Sequence, residues 1–311
     1  MSPSPTAEFT SEDPKDRIVA ARAPLVIILL TLNEELNLPK ALASIDGRAP
    51  VIVVDSGSTD RTRELARAAG ATVIEHPFEN YSKQRNFALA RAAEEYRWVF
   101  FLDADEELTP PLWRDIEQTI VDDEVDGAYV RLDVRWLGHR FVHGEYLHSR
   151  VLRLMRPDRA RFHRAVNERV DDREMRVKTL ASRLVHRDAK PLSELFHKHI
   201  RYARREALAY LDRDVGSTLE GFHVGTKAGR MIGLRWLYNQ TPLFVRPLVR
   251  SVRGMVLLRA WRDGLPGVVH SSMKAFWFPL LIDLFIYEEK LRRSGALARE
   301  FAPERPRDGE A

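Results

Sequence analysis

Four short apolar runs, each opening into a polar loop and then a helical stretch, constrain this chain more than any other feature. Residues 25–30 are unbroken and Ile-rich, the pattern of a strand buried on both faces of a parallel sheet. Residues 51–54, 71–74 and 98–102 repeat the pattern. Between them Leu38, Leu42 and Ile45 recur at helical spacing, and helices are predicted over 61–69 and 82–93. Asp60 can cap the first of these two and Gly70 can end it. Strands alternating with helices predict an α/β fold, a mostly parallel central sheet with helices on both faces. Ligands on such sheets gather at the carboxyl ends of the strands, where the polar loops of this chain fall.

Beyond a helix near 111–121 the pattern changes. Residues 126–155 alternate around a Leu137-Gly138-His139 turn, which predicts a mixed, partly antiparallel second half. A long amphipathic helix follows over 191–214, with Leu195, Phe196, Ile200, Ala203, Ala207 and Leu211 on one side. A chain of 311 residues accommodates one catalytic domain and an appended helical part. The expected organisation is a disordered tail over 1–23, a catalytic domain over 24–188, a helical region over 189–295 and a second tail over 296–311. The polar start of the chain shows no secretory signal.

Cysteine is absent, which excludes a disulfide framework and a thiolate metal site and fits a reducing cytoplasm. Between Lys227 and Lys274 stand nine basic residues against one acidic residue, Asp263, interleaved with Trp236, Trp261 and Trp277. Regional positive charge with tryptophan suits an anionic lipid surface better than nucleic acid. The most apolar stretch, 275–287, is bracketed by Lys274 and Asp283, and its charge-free run is shorter than the ~20 residues a span needs. Attachment to a membrane surface is therefore expected, without crossing; a plain helical subdomain is the competing reading.

Asp103 and Asp105 carry the sharpest chemical signal, because an Asp-x-Asp where a buried strand opens into a loop turns both carboxylates to one side. Two carboxylates about 4 Å apart repel by roughly 4 kcal/mol at an effective dielectric near 20, so such a pair shares a proton or holds a cation. Mg²⁺ or Mn²⁺ binds through one or two carboxylates and completes its shell with water and phosphate oxygens, which makes a diphosphate the natural co-ligand. The plainer alternative is an acidic cluster ahead of the helix opened by Pro110-Pro111. Asp55 after the second strand and Asn33-Glu34 after the first fall at the same sheet edge, where an acidic side chain can accept from ribose hydroxyls or a base N–H. Lys83 and Arg85 begin a helix, a place suited to an anion or a nucleobase carbonyl.

Thr31-Leu32-Asn33-Glu34, the run 53–60, Gln84-Arg85-Asn86-Phe87-Ala88-Leu89 and Leu102-Asp103-Ala104-Asp105-Glu106 together resemble family 2 of the inverting glycosyltransferases, which have the GT-A fold. Within it the likeness is greatest to the bacterial branch of lipopolysaccharide-core β-1,4-glucosyltransferases. The resemblance implies transfer of a hexose from a UDP-sugar to a lipid-linked or cell-envelope saccharide at the cytoplasmic face of the membrane. It implies that Thr31, Glu34 and Asp55 hold the uracil–ribose part with Asn33 and Lys83 beside them, that Arg85 approaches the nucleotide, and that Asp103 and Asp105 hold ribose and metal. Glu107 is implied as a further metal ligand, and His186 is a candidate late ligand. The base that takes the acceptor proton is implied to be Glu168 in Val166-Asn167-Glu168, where the branch often has Val-His-Glu; Glu145 is the reserve. The competing functions are a nucleotidyltransferase that makes the sugar nucleotide, which normally has a Gly-rich first loop, and a catalytically silent membrane scaffold.

Overall fold

The computed structural model describes residues 23–144, 150–163, 169–170, 172–212 and 240–296. Both expected tails, except for Ala23 and Ala296, lie outside them. So do Lys227, Arg230, Arg235 and Trp236 of the basic block.

The strands are β1 (Ala23–Thr31), β2 (Val51–Asp55), β3 (Thr72–Glu75), β4 (Tyr96–Phe101), β5 (Glu106–Glu107), β6 (Gly127–Trp136), β7 (His139–Arg140), β8 (Arg150–Met155), β9 (Phe162–His163), β10 (Arg169–Val170) and β11 (Val177–His186). Helices α1 (Leu38–Ile45), α2 (Thr62–Ala68), α3 (Tyr81–Ala93) and α4 (Pro110–Asp122) cross between the early strands. Among the described residues the main sheet runs β3-β2-β1-β4-β8-β6-β11-β5, with β7 on β6. Its first four strands are parallel, as their βα units require. The second half is mixed: β8 runs antiparallel between β4 and β6, and β11 returns parallel to β6. The β6–β7 turn has φ of 47° at Leu137 and 81° at Gly138, the two left-handed residues of a tight hairpin turn.

Alternation along β1 shows why the sheet is central. Leu25, Ile27 and Leu29 join Trp98, Phe100, Leu112 and Trp113 on the face covered by α1 and α4. Val26 and Ile28 join Ala88, Leu89, Phe101 and Met155 on the face covered by α3. A strand buried on both sides has no room for polar residues, so chemistry is confined to its ends.

The C-terminal region is helical: α5 (Leu192–Leu211), α6 (Val245–Val252) continued by a π turn to Leu257, α7 (Gly264–Ser271) and α8 (Phe278–Arg293). The side chain of Asp283 is fully buried and accepts from Arg246 Nε and Phe244 N, which ties α6 to α8. Residues Ala260–Arg293 form a continuous helical segment of 34 residues that is long and apolar enough to cross a membrane by length and composition, and only 28% of its most apolar window is buried. Asp283 faces inward to a cation and does not interrupt the apolar surface.

Candidate functional site

The polar loops meet at one edge of the sheet. β1 lies between β2 and β4, Thr31 is in register with Asp55, and Leu102 N donates to Ile28 O at 2.9 Å. The loops after β1, β2 and β4 therefore line a single rim, and Asp55, Asp103 and Asp105 share it.

The first two loops are stitched together. Asn33, at φ 54°, accepts from Thr59 N at 2.8 Å and donates its backbone N–H to Ser58 Oγ at 2.9 Å. Glu34 N donates to Thr62 Oγ1 at 2.8 Å and Glu35 N to Asp60 Oδ2 at 3.1 Å. Asp60 also accepts from Thr62 N, but the helix begins at Thr62 with Arg61 in the N-cap position, so Asp60 braces the turn before the helix and is not the N-cap expected of it. Asp55 is fully buried, and its oxygens accept from Thr31 Oγ1, Gly57 N, Ser58 N and Ser58 Oγ. With four donors it shapes the loop from beneath. The Glu34 carboxylate pairs with Lys190 at 2.8 Å and accepts from Asn37 at 2.9 Å; burial pushes its carboxyl up, with Lys190 pulling against it.

Helix α3 supplies the next wall. Asn80 caps it by accepting from Lys83 N, and the exposed Lys83 ammonium pairs with Glu79, one turn back. Gln84 reaches Ser56 Oγ, which joins α3 to the loop after β2. The buried Arg85 donates to Asp103 Oδ1 at 3.2 Å, its guanidinium packed over Phe101 and Phe162. Asn86 exchanges two hydrogen bonds of 2.9 Å with the backbone of Phe162. That clamp holds the β9–β10 hairpin against α3. Glu168 itself, in residues 164–168, lies outside the described residues, as does Glu145 in 145–149.

After β4 the carboxylates diverge. Asp103 pairs with Arg153 as well as Arg85; burial disfavours its charge, but the two arginines outweigh that and hold the carboxyl well below the usual range. Glu106 is buried beside the same Arg153 at 2.5 Å, and burial with the nearby Asp103 and Asp105 charges raises its carboxyl against the pull of that arginine. Glu107, on β5, pairs with Arg187 at 2.5 Å. Asp105 lies 3.5 Å from His186 Nδ1, a distance set by the antiparallel β5–β11 pairing and by Arg187 N donating to Asp105 O at 2.8 Å. Among the described residues no three His, Asp or Glu side chains converge into a cation shell. The expected trio Asp103, Asp105 and Glu107 is thus not assembled here, because arginines take up the outer two.

What remains is a pair. His186 Nδ1 is buried and makes no hydrogen bond, an orphaned polar atom opposite a carboxylate. One carboxylate and one imidazole fit a divalent ion that takes its other ligands from diphosphate and water. Lys198 on α5 adds positive charge; burial lowers its pKa, but Asp105, Glu34 and Asp188 outweigh that and raise it.

Arg153 and Lys198 were missed by spacing rules. For Arg153 a signal existed: a lone cation within the apolar run of β8 demands a buried anion. Arg153→Met is expected to lower stability by about 3–5 kcal/mol, since it strands two close carboxylates, and adding Glu106→Gln should recover part of it. Urea unfolding of the three proteins checks this.

A family model, "Glycosyl transferase family 2", matches residues 26–189, just over half of the chain. The chain is 34% identical over 157 residues to a TPR repeat-containing protein of Synechococcus elongatus, covering 49% of this chain and 37% of that one. It is 31% identical over 147 residues to the lipopolysaccharide core biosynthesis glycosyltransferase LpsC of Rhizobium meliloti, covering 45% of this chain and 54% of LpsC. The matched part thus spans about a third to a half of these relatives. Staphylococcus aureus TarS 1-349 in complex with UDP-GlcNAc overlays with TM-score 0.42 at 16% identity, over 88% of this chain and 92% of that one. Glucosyl-3-phosphoglycerate synthase of Mycobacterium tuberculosis, with Mn²⁺, UDP-glucose and phosphoglyceric acid, overlays with TM-score 0.40 at 21% identity, over 58% and 76%. Both overlays are too loose to transfer a residue role. The family match falls on the same loops that build the rim, and the chain belongs to glycosyl transferase family 2.

Proposed function

We propose that this glycosyltransferase transfers a hexose from a UDP-sugar to a lipid-linked saccharide of the cell envelope, by a single inverting displacement at the cytoplasmic face of the membrane. Residues 24–188 form the catalytic domain and 189–295 the membrane-associating region. The observation that carries the reading is the pairing of Asp105 with the unbonded Nδ1 of His186, at the rim where the β1 and β2 loops are stitched together.

In this reading Thr31, Asn33, Glu34 and Asp55 form the floor for uracil and ribose. Asp55 acts by holding the loop 56–60 in place, so that backbone groups present themselves to the nucleotide. Arg85 and Asp103 border the ribose, and Lys83 can leave Glu79 at little cost because that pair is exposed. Asp105 and His186 would hold Mg²⁺ or Mn²⁺, with Asp103 and Glu107 close by. When bound, such an ion offsets the charge that develops on the leaving diphosphate. Glu168 takes the proton from the acceptor hydroxyl on the opposite face of the sugar. The likeness to LpsC over part of its length supports an envelope saccharide as acceptor.

The test is release of UDP from UDP-sugars by the full chain, with GDP- and dTDP-sugars as controls. Release should require Mg²⁺ or Mn²⁺ and stop on chelation. Turnover that persists undiminished in excess chelator would remove the metal from the proposal, and formation of a sugar nucleotide from sugar phosphate and UTP would favour a nucleotidyltransferase.

A further inference from the structure

The helices α6 and α7 form a hairpin through residues 253–263, and its packing is unusual in what it leaves outside. Small residues line its contacts: a Cβ on Gly254 of the π turn would lie 3.1 Å from Ser271 Oγ and 3.4 Å from the Ala275 Cβ, and one on Gly267 of α7 would lie 2.3 Å from the O of Ala260 in the turn just before it. Small residues therefore let these segments close, and large apolar side chains are left outside. On α6 and its π turn, Leu248, Val252 and Val256 form a helical stripe that is 54 to 61% exposed. At the bend Leu257 is 72%, Trp261 57% and Leu265 75% exposed. Arg253, Arg259 and Arg262 are exposed among them. The acidic residue of this stretch, Asp263, faces the other way.

We infer that the tip of this hairpin is a wedge that enters the interface of an anionic lipid bilayer, with Leu257, Trp261 and Leu265 among the acyl chains and Arg253, Arg259 and Arg262 at the headgroup phosphates. Charge decides the occupant. A contiguous apolar patch marks an interaction surface of some kind. Three arginines set between apolar residues and an interfacial tryptophan match a negatively charged, half-apolar boundary. The same tip grips the catalytic domain: Asp263 accepts from Val142 N at 3.1 Å and His143 N at 2.9 Å and pairs with His143 Nδ1 at 2.8 Å, and Gly144 N donates to Leu258 O at 2.9 Å. The wedge thus carries the loop after β7 with it to the membrane plane, where a lipid-linked acceptor presents its hydroxyl. The inference rests on the proposed membrane acceptor, and it names the side chains that make the contact.

The test is flotation of the full chain with phosphatidylglycerol vesicles and with phosphatidylcholine vesicles at moderate salt, beside the variant Leu257→Glu/Leu265→Glu. Both positions are exposed, so thermal unfolding of the variant should match the wild type. The wild type should partition to phosphatidylglycerol vesicles at least ten-fold better than the variant, and better than to phosphatidylcholine. Brominated lipid should quench tryptophan emission in the wild type and lose most of that effect in Trp261→Phe. Equal flotation of wild type and variant overturns the inference. So does light scattering that shows a wild-type dimer dissociated by the two glutamates with no change in flotation, which would make the patch a contact between copies. UDP release without vesicles should be the same in both proteins; its absence in both, with flotation intact, would count against the transfer reading and leave the wedge standing.

Discussion

Glu168→Gln is expected to bind donor as the wild type does and to transfer sugar about 10²–10⁴-fold more slowly, the usual contribution of a positioned general base. The substitution keeps size and hydrogen bonding and removes only the capacity to accept a proton. The reason to expect a large effect is local. Phe162 is clamped to Asn86 on the donor-side helix and packed against Arg85, which itself binds Asp103, and β9 pairs with β10. Phe162 and His163, which precede residues 164–168 in the chain, are thus held beside the donor rim. Calorimetric titration with UDP and a transfer assay on extracted acceptor lipid separate the two effects. Wild-type transfer in Glu168→Gln would move the base to Glu145.

Asp105→Asn is expected to abolish the metal requirement together with the activity. An ion that stabilises transition-state charge is worth several kcal/mol, and each 1.36 kcal/mol is about ten-fold in rate, so a loss of about 10²-fold or more should follow. Its partner His186 should behave alike and more mildly: His186→Ala loses one ligand of the pair. Asp103→Asn should differ in kind, because Asp103 is engaged by Arg85 and Arg153 and its loss perturbs the fold around β8 as well as the donor. Paramagnetic resonance of Mn²⁺ in the presence of UDP provides a readout apart from turnover. Wild-type Mn²⁺ binding in Asp105→Asn would place the ion elsewhere.

Much of the catalytic fold was legible along the chain because local pattern and tertiary role coincide in βα units. Four strands, their helices and the loops between them follow from apolar runs and helical spacing, although β3, read as buried on both faces, is a partly exposed edge strand. The rim was legible for the same reason: parallel strands deliver all their following loops to one edge. The Leu137-Gly138 turn is equally local, since it depends on two adjacent residues with positive φ.

The partners of the charges were not legible, because they come from strands and helices far away in the chain. Arg153 reaches Asp103 from β8, Arg187 reaches Glu107 across the β5–β11 pairing, and Lys190 reaches Glu34 from the start of the helical region. Sequence spacing placed Glu34, Asp55, Asp103, Asp105 and Glu107 at one edge; only the folded sheet decided that Asp105 and His186 face each other while arginines hold Asp103 and Glu107. The helical region shows the same division. Its apolar and basic composition can be read directly, but whether Asp283 interrupts an apolar surface depends on Arg246 lying opposite it, and whether Leu257 and Leu265 are core or surface depends on the small residues that let two helices close. Periodicity reports which residues share a face; the energy of a charge or an apolar side chain is set by what the rest of the chain brings to that face.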